Sequence, residues 1–293
     1  MSQLEYQSKK NSLFLSIDLE DFTYDTYRNL GQEPLVNFEA LEKSYEVIND
    51  FSKNFLDSKK ITFFTTGTVA LTHPMLLKRI VKEGHEIACH YHFHDMMTNQ
   101  SIEEIESNLI LAKKAISDAC GVEPRGFRAP AFSIPNERIE IYQLLSKHFS
   151  YDSSYILNTE NQSVDELNSK EPFAKKDFIE LPIITYNWLK RFNIKSGGTF
   201  FRLFSLNLIK KVLKQSRKEG QIPMIYLHPY DFLYELEFKV PLRAFLKKHS
   251  IILGTYKYLR QFQWLQLNNR STLKKLQKIS AEYNHVGPIG HNL

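Results

Sequence analysis

Two hydrophobic periods alternate along the chain. Residues 13–18, LFLSID, are an apolar run ending in acids, which predicts a buried strand. Residues 38–57 change to helical spacing, with Leu41, Tyr45, Ile48, Phe51 and Phe55 on one face. ITFFTT at 61–66 predicts the next strand, stopped by Gly67. Pro74 opens a helix that runs through Val81 and ends near Gly84. His85 to His90 read as a third strand, and Ser101 with Glu104 forms a capping box for a helix to about Ala119. Gly126 to Ala129 start another strand, and a helix over 136–147 follows. ELPII and MIYLH are later strands, with a helix over 205–218 between them. The less regular span 150–200 reads as loops, and 261–293 as a helical appendage with a loose tail after a main unit over 1–260.

Strands alternating with helices imply a parallel sheet with crossover helices. At 293 residues the chain suits one α/β barrel, and 42% hydrophobic with 24% charged residues is ordinary for a globular protein. The 21 Phe and 15 Tyr belong mostly to its core. Cys89 and Cys120 form no CxxC pair, which excludes a disulfide framework and a cysteine zinc site. The net charge of +5 has a share near the C-terminus, in Lys274, Lys275 and Lys278. No basic run is long enough to argue for nucleic acid. A solvated helix face accounts for the charge most simply, and an anionic glycan or membrane surface is the functional alternative. The first residues, MSQLEYQSKKNS, are polar without an apolar signal core, and no stretch of about 18 apolar residues follows. The expected location is therefore the cytoplasm, with peripheral contact at the inner membrane face as an extension.

Ionisable residues fall where predicted strands end: Asp18, His90, Arg128 and His228. α/β barrels build their active sites there. Asp18 and Glu20 are two apart, so on a strand they project to one side, and two carboxylates together favour a cation between them. Alone, this motif is equally a strand end entering a loop. GHEIACHYHFHD holds four of the ten histidines; His90 and His94 have a common zinc-ligand spacing, with His92 as a rival ligand. Imidazole with carboxylate suits zinc and similar divalent metals. Arg128, before Pro130, can hold a carboxylate in fixed orientation. Asp152 in YDSS and His228 in LHPYDF carry little signal singly.

In this order the five clusters resemble the polysaccharide deacetylases, the NodB-homology group of carbohydrate esterases. The resemblance runs from about Leu13 to Phe232. GFRAPAFSI, YDSSYI, SGGTFFRL and LHPYDF look closest to the branch of exosortase-associated deacetylases. It implies a distorted (β/α)7 barrel. It implies Asp18 as general base, His90 and His94 as metal-binding histidines, and a carboxylate as third ligand. The usual motif puts that carboxylate directly after the base, where this chain has Leu19. Glu20 or Asp21 remains, and strand geometry favours Glu20. Arg128 matches the arginine orienting the base, Ala131 the amide that contacts the oxyanion, His228 the general acid and Asp152 the carboxylate tuning it. The implied cofactor is a divalent metal, Zn2+ first, and the implied partner an N-acetylated saccharide.

The expected reaction is removal of acetyl from an N-acetylated amino sugar of a polysaccharide or its biosynthetic precursor. The competing readings are a metal-independent hydrolase of cyclic amides or ureides on the same fold, and a non-catalytic glycan-binding protein. Which sugar is used and the oligomeric state are not written in the sequence.

Overall fold

The computed structural model describes residues 11–293. Residues 1–10, most of the polar N-terminal stretch, lie outside the described residues. In chain order the strands are β1 (Ser12–Leu19), β2 (Thr62–Thr65), β3 (Glu86–Cys89), β4 (Gly126–Phe127), β5 (Tyr151–Asp152) and β6 (Ile156–Asn158). Then follow β7 (Ile179–Glu180), β8 (Ile183–Trp188), β9 (Phe192–Ile194), β10 (Met224–Leu227) and β11 (Asn284–His285). Seven of them form a curled parallel sheet in the order β10-β1-β2-β3-β4-β5-β7, with β11 paired to the start of β1. This is the seven-stranded α/β barrel sheet, left open because β7 and β10 do not pair.

β1 is buried along its whole length, as a parallel strand covered on both faces must be. Its odd residues Leu13, Leu15, Ile17 and Leu19 pack towards the helices, in the main core. Phe14 belongs to a second cluster with Phe64, Ala88, Tyr151 and Tyr226, which fills the inside of the sheet. The same alternation holds in β3, where Ile87 and Cys89 face the helices and Ala88 faces inward, and in β10. Asp18, His90, Arg128 and His228 each occupy the next inward place in such an alternation.

Helices Phe38–Phe55, Pro74–Lys82, Ile102–Cys120 and Leu206–Lys218 cover the outer face close to where their periodicity predicts. Ser101 Oγ accepts the Glu104 amide and Glu104 accepts the Ser101 amide, at 3.2 and 2.8 Å. Helix Phe22–Asn29 was not expected; it begins directly behind the acidic motif. The span 150–200 is more ordered than loops. It contains β5 to β9, and β6-β8-β9 make a second small sheet. The β8–β9 hairpin turns at Leu189 and Lys190, both at positive φ. Such a turn usually announces itself by Asn or Gly, and here neither is present.

The division at residue 260 falls inside helix Ile251–Leu265. The expected loose tail is also corrected: Asn284 and His285 extend the sheet beside β1, and Ile289 is fully buried in the inner cluster. Glu86 accepts the Gly290 amide at 3.0 Å.

Gly126 lies against the buried Tyr151 ring, and a Cβ there would come within 1.9 Å of its Cζ. Gly126→Ala is expected to overpack the inner cluster by about 1–3 kcal/mol. At roughly 2–4 °C per kcal/mol, calorimetry should show a fall of several degrees in Tm. An unchanged Tm would mean that the inner cluster yields freely.

Candidate active site

The inward residues meet in a cavity of about 720 Å³, lined by Asp18, Glu20, His90, His94, Ala131 and His228 among others. Arg128 is wholly buried at its wall, where a guanidinium needs every donor occupied. Its Nη1 donates to Asp18 Oδ1 at 2.6 Å and to Ser16 Oγ at 2.9 Å. Its Nη2 donates to Ser153 Oγ at 3.1 Å, and its Cζ stands 4.0 Å from the centre of the Phe64 ring. Asp18 is therefore held through Oδ1, which leaves Oδ2 for chemistry. Asp18 Oδ2 is 4.0 Å from His228 Nε2.

Glu20, His90 and His94 each offer a ligand atom, all within 4.8 Å of one another. His90 Nδ1 lies 2.8 Å from the Arg128 carbonyl. A carbonyl only accepts, so Nδ1 carries the proton and Nε2 keeps its lone pair. Burial pushes His90 down to about 4, which keeps it neutral. Tyr230 donates its hydroxyl to Glu20 Oε1 at 2.6 Å. The buried Glu20 Oε2 faces His94 Nε2 at 2.5 Å, but no donor is aligned on it. Burial opposes charge on His94, yet the Glu20 carboxylate prevails and lifts it to about 9. Burial likewise opposes charge on Glu20, and His94 carries it well below the usual carboxylate range. The proton thus stays on His94, facing the Glu20 carboxylate. A neutral imidazole, a buried carboxylate oxygen lacking an aligned donor and a second imidazole are a donor set that fits a divalent cation.

The two remaining ligand candidates lie elsewhere. Both Asp21 oxygens are occupied: Oδ1 accepts the Thr23 and Tyr24 amides, capping helix Phe22–Asn29, and Oδ2 accepts the Asn37 amide, all at 3.0 Å. Of the pair Glu20 or Asp21, only Glu20 reaches the histidines. His92 is lodged beside Gly67, whose Cβ would lie 2.2 Å from His92 Nδ1, and is not in the cluster.

Asp152 does not tune His228, and this corrects the sequence reading. Its Oδ1 accepts the Ser154 hydroxyl at 2.6 Å, and Ser154 Oγ accepts the Ala129 amide at 2.8 Å. Asp152 pairs in register with Glu180 across β5 and β7. Burial and the neighbouring Asp152 charge raise Glu180 well above the carboxylate range, so it holds a proton. The pair therefore braces the segment carrying Arg128 and Ala131. Ala131 does line the cavity, with φ +51.

The partner of His228 is Asp231, three residues on. Asp231 Oδ2 accepts both the His228 backbone amide, at 2.8 Å, and Nδ1–H, at 2.9 Å. Asp231 Oδ1 lies 2.7 Å from Arg202 Nε, with both side chains wholly buried. Burial opposes charge on His228, but Asp231 outweighs it and raises its pKa. Asp231 stands in LHPYDF and Arg202 in SGGTFFRL, so both lay in motifs already singled out. Their pairing needed the fold. The two glycines of SGG admit this approach: a Cβ on Gly197 would lie 2.1 Å from the Tyr226 carbonyl, and Gly198 has φ +52. Asp25 also lines the cavity, buried and with neither oxygen hydrogen-bonded; burial raises it to about 7.

Residues 54–148 match the family profile for polysaccharide deacetylase, and 153–272 match a domain of unknown function, DUF3473. Peptidoglycan-N-acetylglucosamine deacetylase PgdA of Listeria monocytogenes is 31% identical over 94 residues, 32% of this chain and 20% of that protein. Chitooligosaccharide deacetylase of a Bradyrhizobium strain is 39% identical over 70 residues, 24% of this chain and 32% of that protein. The chain thus spans a fifth to a third of these relatives. A crystal structure described as a polysaccharide deacetylase from Mycobacterium smegmatis superposes with a TM-score of 0.51. It covers 96% of this chain and 94% of its own at 15% identity, which speaks for the fold.

A cation must displace the His94 proton to enter. Zinc affinity, measured by calorimetry on the chelator-stripped protein, should rise about tenfold per pH unit and level off near pH 9, where His94 loses its proton unaided. A flat profile from pH 6 to 9 would contradict a proton held on His94 by Glu20.

Proposed function

Because residues 54–148 match the polysaccharide deacetylase family, we propose that the chain hydrolyses the acetamide of an N-acetylated amino sugar in a polysaccharide or its biosynthetic precursor. The observation carrying this reading is the convergence of Asp18, Glu20, His90, His94 and His228 on one cavity. An amide is a poor electrophile, and its nitrogen leaves only when protonated. The site supplies a base and an acid for these two needs.

Glu20, His90 and His94 would hold the metal, Zn2+ in our reading. When bound, it polarises the acyl oxygen and acidifies water at the site. Asp18, fixed through Oδ1 by Arg128, takes a proton from the attacking water on Oδ2, worth typically about 10²–10⁴-fold. Proximity of His228 Nε2 to that oxygen puts acid and base across one acyl group. His228, kept protonated by Asp231, gives its proton to the departing nitrogen. The Ala131 amide, at the cavity wall, donates to the acyl oxygen as negative charge develops there. Acetate and a free amine result.

For the substrate we propose a nucleotide-linked or lipid-linked N-acetylhexosamine, or a capsule or O-antigen repeat, handled in the cytoplasm at the inner membrane face. Lys195, Lys248 and Lys257 line the same cavity as the catalytic groups, which suits a substrate with an anionic substituent.

Acetate release from UDP-N-acetylhexosamines and N-acetylated oligosaccharides, with and without chelator, tests the reaction. Asp18→Asn should lose at least about 10²-fold in kcat/KM. Activity that survives complete metal removal would favour the cyclic-amide hydrolase instead, and no turnover of any N-acetylated saccharide would favour a binding protein. A second measurement separates the partners of His228. Asp231→Asn removes the group raising its pKa, so the alkaline limb of the rate profile should move to lower pH. Asp152→Asn, which has no contact with His228, should leave that limb in place while lowering Tm. The opposite pattern would restore Asp152 to its tuning role.

A further inference from the structure

We propose that helices Leu242–Lys248 and Ile251–Leu265 form a docking surface for an anionic phospholipid bilayer, beside the mouth of the catalytic cavity. Ile251 and Ile252 are 78% and 86% exposed, and Tyr256 and Leu259 continue the exposed row. Ile252, Tyr256 and Leu259 stand at i, i+4 and i+7, one stripe of the helix. The opposite side is anchored: Gln261 exchanges hydrogen bonds with the Val240 amide and carbonyl at 2.9 Å, and Leu265 is buried.

Charge identifies what would cover this stripe. Residues 239–281 contain ten Lys or Arg and no Asp or Glu. That stretch carries +10 in a chain whose net charge is +5, so the remaining residues sum to −5. The docking helices themselves carry five of these cations, Arg243, Lys247, Lys248, Lys257 and Arg260, so a second copy docking by the same face would set like charges together. An anionic lipid surface neutralises the basic residues and buries the aliphatic ones in a single step. Arg243 and Lys247 are exposed on the first helix, and Lys248 and Lys257 reach the cavity wall. Among the described residues no helix is long and apolar enough to cross a membrane, so these helices would lie on the bilayer. Docking there puts the cavity within reach of an amino sugar carried on a lipid phosphate. This last step rests on the deacetylase reading; the surface itself does not.

The test is co-sedimentation of the full chain with phosphatidylcholine vesicles, with and without phosphatidylglycerol. Binding should require phosphatidylglycerol and weaken with added salt. The double variant Ile252→Asp/Leu259→Asp should bind about tenfold less or worse. Its far-UV spectrum and acetate release from a soluble N-acetylated oligosaccharide should match those of the unaltered chain. Equal binding to both vesicle types, no binding, or unimpaired binding by the variant would overturn the proposal. So would a light-scattering dimer abolished by the same substitutions without vesicle binding, which assigns the stripe to a second copy. Vesicle binding without acetate release would keep the surface and discard the reaction.

Discussion

The buried pair between Arg128 and Asp18 is the constraint on which the site depends. A guanidinium taken wholly out of water is tolerated only with its donors met, and removing one partner of such a pair costs about 3–5 kcal/mol. Arg128 spends its donors across the interior of the sheet. It reaches Asp18 and Ser16 of β1, Ser153 beyond β5 and Met224 of β10, and it lies on Phe64 of β2. The seven-stranded sheet is not closed by pairing of β7 with β10. One side chain thus cross-braces strands that the hydrogen-bond ladder leaves apart. Its own carbonyl accepts from His90, so the brace also sets the orientation of a histidine of the candidate metal site.

From that fixed point the protein gives similar side chains different protonation states. Of the four histidines that line the cavity, three are held in three ways. His90 is buried beside a carbonyl and stays neutral; His94 is raised by the Glu20 carboxylate that it faces; His228 is raised by Asp231. Environment, more than residue type, thus separates the proposed ligands from the proposed acid. The carboxylates are also set apart by surroundings: Asp18 is paired with a guanidinium, while burial and the Asp152 charge raise Glu180 well above the carboxylate range.

Features that depend on local periodicity were legible in the sequence. The apolar run of β1, the capping box at Ser101 and the helix over 206–218 each follow from neighbours within a few residues. Asp18, His90, Arg128 and His228 were legible because each stands at or just past the end of an apolar strand run. The assignment of Asp152 failed because YDSS carries no information about which histidine it faces across the sheet. Asp231 was overlooked although only three residues separate it from His228: a turn that lets one oxygen accept both amide and imidazole is a feature of the fold. Arg202 pairs with Asp231 across 29 positions, a separation that no window of periodicity spans. The β8–β9 hairpin escaped because Leu189 and Lys190 adopt positive φ without a glycine or asparagine to signal it.

The departure in the acidic motif then acquires a physical reason. With Asp18 pointing inward, the residue directly after it must point to the helices, and Leu19 does so, buried in the main core. A carboxylate at position 19 could reach the cavity only by breaking the strand before its last ladder position, where Leu19 pairs with Thr65. Glu20 takes the next inward place instead, and its longer side chain reaches both His94 and the Tyr230 hydroxyl. Asp21 is thereby released from the cavity to cap helix Phe22–Asn29, the first element after the site. Setting the candidate third ligand at Glu20 lets β1 remain a strand through Leu19 and gives the spare acid the work of starting a helix.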